Sequence, residues 1–192
     1  MDKYIDEYVR FCKIPSDINE HLPLLYSLCV QCASTKEFGV GFGVSTRAFL
    51  AAITETKGRL DSYELNVKPE VASLFEMVKQ DGLNAELHAT DITKLEKNSN
   101  PADFLFIDSL HTYDQVRIEL ENHGDSTKKF IAFHDTQLFG VDGEIPGNPN
   151  KLQGHGILRA ITQWMQPRQH WVIKYEFVNN NGLLVLENKD NL

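Results

Sequence analysis

The sequence predicts an α/β fold: a mostly parallel sheet of about seven strands, with helices on both faces and an antiparallel hairpin at the C-terminal end. Three observations predict it. Segments with helical periodicity alternate with short apolar segments along the chain. One of these, ADFLFID at 102–108, is almost entirely apolar, as strands buried on both faces are. The chain ends in two alternating apolar runs around Asn-Asn-Asn-Gly, which is typical of a hairpin.

The helices are predicted from apolar residues at spacings of three and four. Residues 2–12 and 17–33 form the first two, and the CxxC pair within the second lacks the partner pair that zinc would need. Ser45 is expected to cap a third helix that runs to 56, and Pro69 marks the first turn of a fourth over 68–80. The remaining helical patterns cover 112–123 and 156–165.

The strands are predicted between these helices, at 36–41, 59–65, 85–90, 102–108 and 129–135, with the hairpin over 170–188. The segment 136–155 is rich in Gly, Pro and Asn, so we expect a loop. Because a structureless loop of that length is usually functional, it is interpreted as a lid that contacts the substrate. The helices within 1–33 are interpreted as a cap that covers the site or mediates a homodimer.

Length, composition and charge limit the classes of protein. The 192 residues are 42% hydrophobic and 24% charged, which fits a single domain over 1–192. The net charge of −8 leaves no excess of Lys and Arg to displace counterions, so nucleic acid is not an expected partner. No apolar run is long enough to span a membrane, and the segment MDKYIDEYVRFCK lacks the apolar core of a secretion signal. We therefore expect a cytoplasmic protein without membrane association.

Acidic or glycine residues follow each of the five parallel strands. In open α/β sheets, ligands bind outside the carboxyl ends of the strands. A single acid there would serve equally well as a helix cap, but five successive strands carrying them predict a ligand site. The residues in question are Glu37 with the glycines after it, Glu64, Asp91, Asp108, and His134 with Asp135.

The first of these ends carries a glycine loop, EFGVGFGVST at 37–46. A dinucleotide fingerprint G-x-G-x-x-G would need a third glycine at 44 or 46, where the chain has Val and Thr. Glu37 also disfavours a pyrophosphate and favours a cation. S-adenosylmethionine has two cationic groups, a ribose whose hydroxyls suit Glu64, and an adenine amino group that suits Asp91. Charge therefore favours S-adenosylmethionine over NAD.

Three segments carry a family resemblance. EFGVGFGVST, LFIDSLHTYDQVRIELE and FIAFHDT, in this order and at these distances, resemble the class I S-adenosylmethionine-dependent methyltransferases. The chain is most similar to the small-molecule O-methyltransferase-like group related to cephalosporin hydroxylase and macrocin O-methyltransferase, from about residue 20 to the hairpin. The resemblance implies a Rossmann-like, doubly wound sheet with an antiparallel last strand.

The resemblance also implies a role for each motif residue. The first loop would hold the methionine part of the cofactor, Glu64 the ribose and Asp91 the adenine end, with Asp108 at the border of the cofactor site. The loop residues implied are Glu37, Gly39, Gly41, Gly43, Ser45 and Thr46.

Two mechanisms for removing the proton of an acceptor hydroxyl are consistent with the sequence. Asp108, His134 and Asp135 would form a divalent-metal site (Mg²⁺ or Mn²⁺), because metal-dependent relatives have acids at the ends of the fourth and fifth strands. His134 replaces one of these acids, which shifts the preference from Mg²⁺ toward Mn²⁺, Zn²⁺ or Fe²⁺, or toward no metal. Alternatively His111 is the catalytic base beside Asp108, since histidine titrates near neutral pH. A helix cap, or a partner that orients Asp108, is the other interpretation of His111.

These observations predict an S-adenosylmethionine-dependent methyltransferase that acts on a hydroxyl of a small molecule, such as a sugar or a glycosylated product. A binding module that kept the cofactor pocket without catalysis is the first alternative. An NAD(P)-dependent oxidoreductase is the second, and the glycine spacing argues against it.

Overall fold

The computed structural model describes residues 3–146 and 148–191, and of residues 148–153 it describes the backbone alone. The helices are α1 (Lys3–Phe11), α2 (Leu22–Cys29), α3 (Val44–Thr56), α4 (Pro69–Gln80), α5 (Tyr113–His123) and α6 (Ile157–Met165). The strands are β1 (Ser34–Phe38), β2 (Arg59–Glu64), β3 (Ala85–Ala89), β4 (Ala102–Ile107), β5 (Thr127–His134), β6 (Gly143–Ile145), β7 (Asn148–Gln153), β8 (Trp171–Phe177) and β9 (Leu183–Asn188).

Seven strands form one sheet in the order β3-β2-β1-β4-β5-β9-β8. The first five of these are parallel to one another, whereas β9 runs antiparallel to both β5 and β8. The chain moves outward from β1 through β2 to β3, then returns to the other side of β1 with β4. The strand order therefore reverses between β1 and β4, and the crevice at such a point is where these sheets bind ligands.

Two apolar layers hold helices on both faces of the sheet. On one face, Phe49 of α3 packs edge-on against Phe104 and Phe106 of β4, and all three side chains have no exposed surface. On the other face, Trp164 of α6 packs beside Leu120 of α5 in a second buried cluster. Burying one such side chain contributes about 1.5–3 kcal/mol, so the two layers fix the sheet edge that carries the site.

The predicted architecture is confirmed, and several boundaries differ. β1 ends at Phe38, not at 41, because the backbone turns at Gly39 into the glycine loop. The predicted helix over 17–33 is a short 3-10 turn followed by α2, with Pro23 in the first helical turn, where a missing N–H costs nothing. The segment 136–155, predicted as a structureless loop, contains the antiparallel two-stranded ribbon of β6 and β7.

The N-terminal helices α1 and α2 pack against α3. Cys29 and Cys32 are free and buried, and burial raises the pKa of each thiol to about 12, so neither is a reactive thiolate. Within the part of the chain that the structure describes, no helix is long and apolar enough to cross a membrane.

Candidate functional site

The glycine loop occupies the point where the strand order reverses. Gly39, Gly41 and Gly43 have φ angles of +83°, +55° and +71°, in the left-handed region that favours glycine. A Cβ on Gly39 would lie 2.0 Å from the carbonyl oxygen of Asp108, so the loop can approach the end of β4 only without a side chain. A Cβ on Gly41 would meet no atom within 4 Å. The loop is thus tight against β4 at Gly39 and open at Gly41.

Glu37 lies beneath this loop with no exposed surface. Its carboxylate accepts hydrogen bonds from the hydroxyls of Ser45 (2.6 Å), Thr46 (2.9 Å) and Ser62 (2.6 Å). Burial raises the pKa of Glu37 to about 7, although the three hydroxyls oppose that rise.

Glu37, Ser45 and Thr46 do not line the cleft, and direct ligand contact by these three residues stays a prediction. They fix the loop from below. The prediction that Ser45 caps α3 is wrong: the helix begins at Val44 after Gly43, and the Ser45 hydroxyl donates to Glu37 instead.

The cleft encloses about 430 Å³, which is within the usual range of small-ligand pockets. It opens at the carboxyl ends of β1 to β4 and is closed on one side by Glu144 from the β6–β7 ribbon. Its lining includes Gly39, Gly41, Glu64, Leu65, Asn66, Asp91, Ile92, Asp108, Ser109, Leu110, His111, Gln115 and Glu144.

Glu64 links the end of β2 to the glycine loop. Its Oε2 accepts from the backbone N–H groups of Val40 (3.0 Å) and Gly41 (3.1 Å), and its Oε1 accepts from that of Asn66 (2.9 Å). Burial alone would raise its pKa, but these backbone donors outweigh it and hold the pKa below its ordinary value. Glu64 therefore brings a negative charge to the cleft wall.

Asp91 follows β3 and caps the 3-10 turn Ile92–Lys94. Its Oδ1 accepts from the backbone N–H of Thr93 (3.1 Å) and from the Thr93 hydroxyl (2.7 Å). The Thr93 hydroxyl and the Lys94 ammonium keep the pKa of Asp91 below its ordinary value. The predicted residues Glu64 and Asp91 thus lie on one wall of the same cleft.

Buried His134 and cleft-lining Asp108 form an ion pair at the ends of β5 and β4. Nδ1 of His134 lies 3.1 Å from Oδ1 of Asp108, and its Nε2 faces the carbonyl oxygens of Asn180 (2.9 Å) and Asp17 (3.2 Å). Burial opposes protonation, but the Asp108 carboxylate outweighs it and raises the pKa of His134 to about 9. Burial likewise opposes ionisation of Asp108, yet both neighbouring imidazoles hold its pKa well below the ordinary range.

His111 lies among three carboxylates. Its Nε2 is 3.0 Å from Oδ2 of Asp135 and 3.3 Å from Oδ1 of Asp108, and its Nδ1 is 3.0 Å from Oε2 of Glu144. The ring stacks on Phe139, with centroids 4.9 Å apart. Burial lowers its pKa, but the three carboxylates together raise it well above 6.5. The pKa of His111 therefore lies above the ordinary value that the prediction of a catalytic base assumed, and His111 as the base stays a prediction.

Asp135 has an unsatisfied oxygen in the same place. The residue is 6% exposed and has a φ of +59°, a conformation that costs energy outside glycine and is frequent at functional sites. Its Oδ1 is buried and has no hydrogen-bond partner among the described residues.

Ligand atoms of Asp108, His111 and Asp135 all lie within 4.8 Å of one another, which is close enough to hold one metal ion. His134 also presents Nδ1 to this group, 3.6 Å from Oδ2 of Asp135, while backbone carbonyls hold its other nitrogen, as is typical of metal-bound histidines. Two oxygens with one or two imidazoles fit Mn²⁺, Zn²⁺ or Fe²⁺ better than Mg²⁺. The donor set is therefore compatible with a divalent metal, but the cluster contains His111, whereas the predicted ligands were Asp108, His134 and Asp135.

Phe139 is a site residue that the sequence did not predict, and Glu144 comes from the segment predicted as a lid that contacts the substrate. Glu144 lies 33 positions after His111, and the sequence did not predict their contact; its Oε2 also accepts from the backbone N–H of His111 at 3.3 Å. The ribbon of β6 and β7 brings it to the cleft. Alternation over three residues of β6 is too short to predict a strand.

Comparisons with known proteins agree with this geometry. Residues 37–136, more than half of the chain, match a family described as a methyltransferase domain. That stretch runs from Glu37 to Thr136 and so contains the glycine loop, Glu64, Asp91, Asp108 and Asp135. None of the curated proteins matches the chain in sequence.

Several solved structures share the fold over nearly the whole chain. The O-methyltransferase TomG from Streptomyces achromogenes, solved with S-adenosylmethionine, is 15% identical; the match covers 98% of this chain and 90% of TomG, with a TM-score of 0.63. The methyltransferase PaMTH1 from Podospora anserina, solved with S-adenosylhomocysteine, is 14% identical, with coverage of 98% and 97% and a TM-score of 0.58. A methyltransferase from Geobacter sulfurreducens is 14% identical, with coverage of 98% and 89% and a TM-score of 0.58. At these identities the likeness is one of fold, and it confirms the predicted fold class.

Proposed function

Because the chain belongs to the methyltransferase-domain family, we propose that it transfers a methyl group from S-adenosylmethionine to a hydroxyl of a small molecule. The observation that carries the proposal is the single cleft in which the glycine loop, the Glu64 carboxylate and Asp108 meet at the β1–β4 reversal. The acidic surface supports a small acceptor over a nucleic acid, since the net charge is −8.

The cleft residues fit the parts of this cofactor. Gly39 and Gly41 leave space for a ligand against bare backbone, and no side chain competes for that space at Gly41. The ionised Glu64 suits a pair of ribose hydroxyls, because a carboxylate accepts two hydrogen bonds side by side. Asp91, Leu65 and Ile92 then face the adenine end, where Leu65 and Ile92 supply apolar surface to a flat ring.

Bound S-adenosylmethionine supplies an electrophilic methyl group, so the protein must orient the acceptor oxygen and accept its proton. The Asp108 carboxylate is the acceptor best suited to a hydrogen bond from that hydroxyl, since its side chain lines the cleft and is 22% exposed. His111 lies 3.3 Å from Oδ1 of Asp108 and 3.0 Å from Oδ2 of Asp135. His111 is then a positioning residue, and Asp108 is the proposed base.

The alternative mechanism is activation of the acceptor hydroxyl by a divalent cation bound at the same residues. Asp108, Asp135 and an imidazole nitrogen of His111 or His134 would hold it, and it would lower the pKa of the acceptor hydroxyl. The imidazole would have to release a proton for this to happen, so binding would strengthen as pH rises. The resemblance to the macrocin O-methyltransferase group favours a sugar hydroxyl as acceptor, whether a carboxylate or a metal ion activates it.

The experiment that tests the proposal is calorimetric titration with S-adenosylmethionine and S-adenosylhomocysteine, with and without Mn²⁺ or Mg²⁺, followed by a screen of hydroxylated acceptors. Micromolar binding with turnover supports the methyltransferase. Binding without turnover on any acceptor favours the catalytically silent module. Absence of binding under every metal condition refutes the proposal. Family membership and the glycine spacing both argue against the NAD(P) alternative.

A further inference from the structure

Glu119 of α5 is a fully buried carboxylate directly behind the cleft wall. Its Oε1 accepts hydrogen bonds from the Ser109 hydroxyl (2.6 Å) and from Nε2 of Gln115 (2.7 Å). Ser109 and Gln115 both line the cleft, whereas Glu119 has no exposed surface. Among the described residues, the carboxylate therefore reaches the ligand site through these two side chains.

An ionised carboxylate can only accept hydrogen bonds, and this fixes the polarity of both neighbours. Ser109 has one O–H, and it points at Glu119, so the Ser109 oxygen presents only lone pairs elsewhere. Gln115 must turn its amide nitrogen to Glu119, so its carbonyl oxygen faces away from that carboxylate. The cleft wall beside them is then rich in acceptors.

The charge state of Glu119 supports this arrangement. Burial raises its pKa to about 7, while the hydrogen bonds from Ser109 and Gln115 oppose the rise. The second oxygen, Oε2, is buried and unpartnered within the described part of the chain. Above neutral pH both hydrogen bonds to Oε1 are charge-assisted, which makes them the strong kind.

We infer that Glu119 is a positioning residue that selects the adenine ring of the cofactor: it holds Ser109 and Gln115 as hydrogen-bond acceptors for the 6-amino group, in addition to Asp91. This inference rests on the proposed function. A purine with a 6-oxo group would set its own acceptor oxygen against the lone pairs of the wall, and such unpaired polar groups carry a large penalty.

The test compares the affinities of S-adenosylhomocysteine and its 6-oxo analogue, S-inosylhomocysteine, by calorimetry at pH 8.5. For the wild type we expect the amino form to bind at least about tenfold more tightly. Glu119→Leu removes the acceptor altogether, so the Ser109 hydroxyl and the Gln115 amide can turn donors into the cleft, and the ratio should fall. Ser109→Ala removes one acceptor from the cleft wall, and its ratio should fall as well.

Glu121→Leu is the matched control, because Glu121 is exposed on the same helix and pairs with Arg117 at 2.8 Å. It should keep the wild-type ratio. A folded Glu119→Leu or Ser109→Ala protein that keeps the wild-type ratio would overturn the inference, since general loss of structure weakens both ligands alike. A wild type that binds neither ligand would instead overturn the proposed function, and this inference with it.

Discussion

Nδ1 of His134 lies 3.1 Å from Oδ1 of Asp108, at the ends of the neighbouring parallel strands β5 and β4. His134 is buried, with only 1% of its surface exposed, and two backbone carbonyls accept from its other nitrogen, whereas the Asp108 side chain is 22% exposed at the cleft. The site is thus built around a charge pair at the cleft wall, and both partners depend on the sheet register that joins the two strands.

The pH dependence of stability should report this pair. His134 has a pKa raised from 6.5 to about 9, so its contribution is complete below pH 6.5 and is lost as pH rises through 9. At roughly 1.36 kcal/mol per pH unit, we expect the wild type to lose up to about 3 kcal/mol from this group. Urea unfolding at pH 6 and pH 9.5 should show a smaller loss for His134→Asn. The exposed His155→Asn should match the wild type, and an equal loss in His134→Asn would contradict the assignment.

Asp108→Asn should remove the charge that holds both imidazoles. We expect activity to fall by about 10²-fold or more, within the usual contribution of acid–base groups, and any response to Mn²⁺ to disappear. Activity assays with metal titration would measure both. Asp142→Asn, on an exposed residue in the segment after β5, is the control and should behave as wild type. Persistence of metal dependence in Asp108→Asn would exclude Asp108 as a ligand.

Glu64→Ala should weaken S-adenosylhomocysteine binding by about 1–3 kcal/mol, the cost of leaving buried polar partners unmet. The change also leaves the N–H groups of Val40 and Gly41 without their carboxylate acceptor. Calorimetric titration is the measurement, with Glu70→Ala on the exposed side of α4 as the control. Unchanged affinity would refute the assignment of Glu64 to the ribose.

How far the sequence predicted the site depends on how local each feature is. The glycine loop and the apolar strand β4 were predicted because each is determined by a sequence pattern within its own few residues. The raised pKa of His111 was not predicted, because it arises from carboxylates 24 and 33 positions away, at Asp135 and Glu144, in addition to Asp108. Boundaries failed where one residue ends an element, as Gly39 ends β1.

Gly39→Ala should destabilise the fold more than Gly82→Ala, although both glycines have a positive φ. A Cβ on Gly82, with φ +72°, would meet no atom within 4 Å, so its cost is the left-handed backbone alone, about 1–2 kcal/mol. At Gly39, with φ +83°, the Cβ would also lie 2.0 Å from the Asp108 oxygen, which forces the loop away from β4. Denaturant unfolding measures the loss of unfolding free energy in each variant, and the difference between the two losses is the cost of the steric clash at Gly39. Equal losses would show that the loop tolerates the displacement.

Glu144→Gln should lower the pKa of His111 by removing one of its three carboxylate partners. Asp108 and Asp135 remain, so the pKa should still stand above the ordinary 6.5. Because a group with a raised pKa keeps its proton until pH passes that value, the imidazolium should be lost at a lower pH in the variant than in the wild type. NMR titration of the His111 ring follows this directly, with Glu121→Gln as the control on exposed surface. A titration curve identical to that of the wild type would show that the β6–β7 ribbon does not hold Glu144 against His111 in solution.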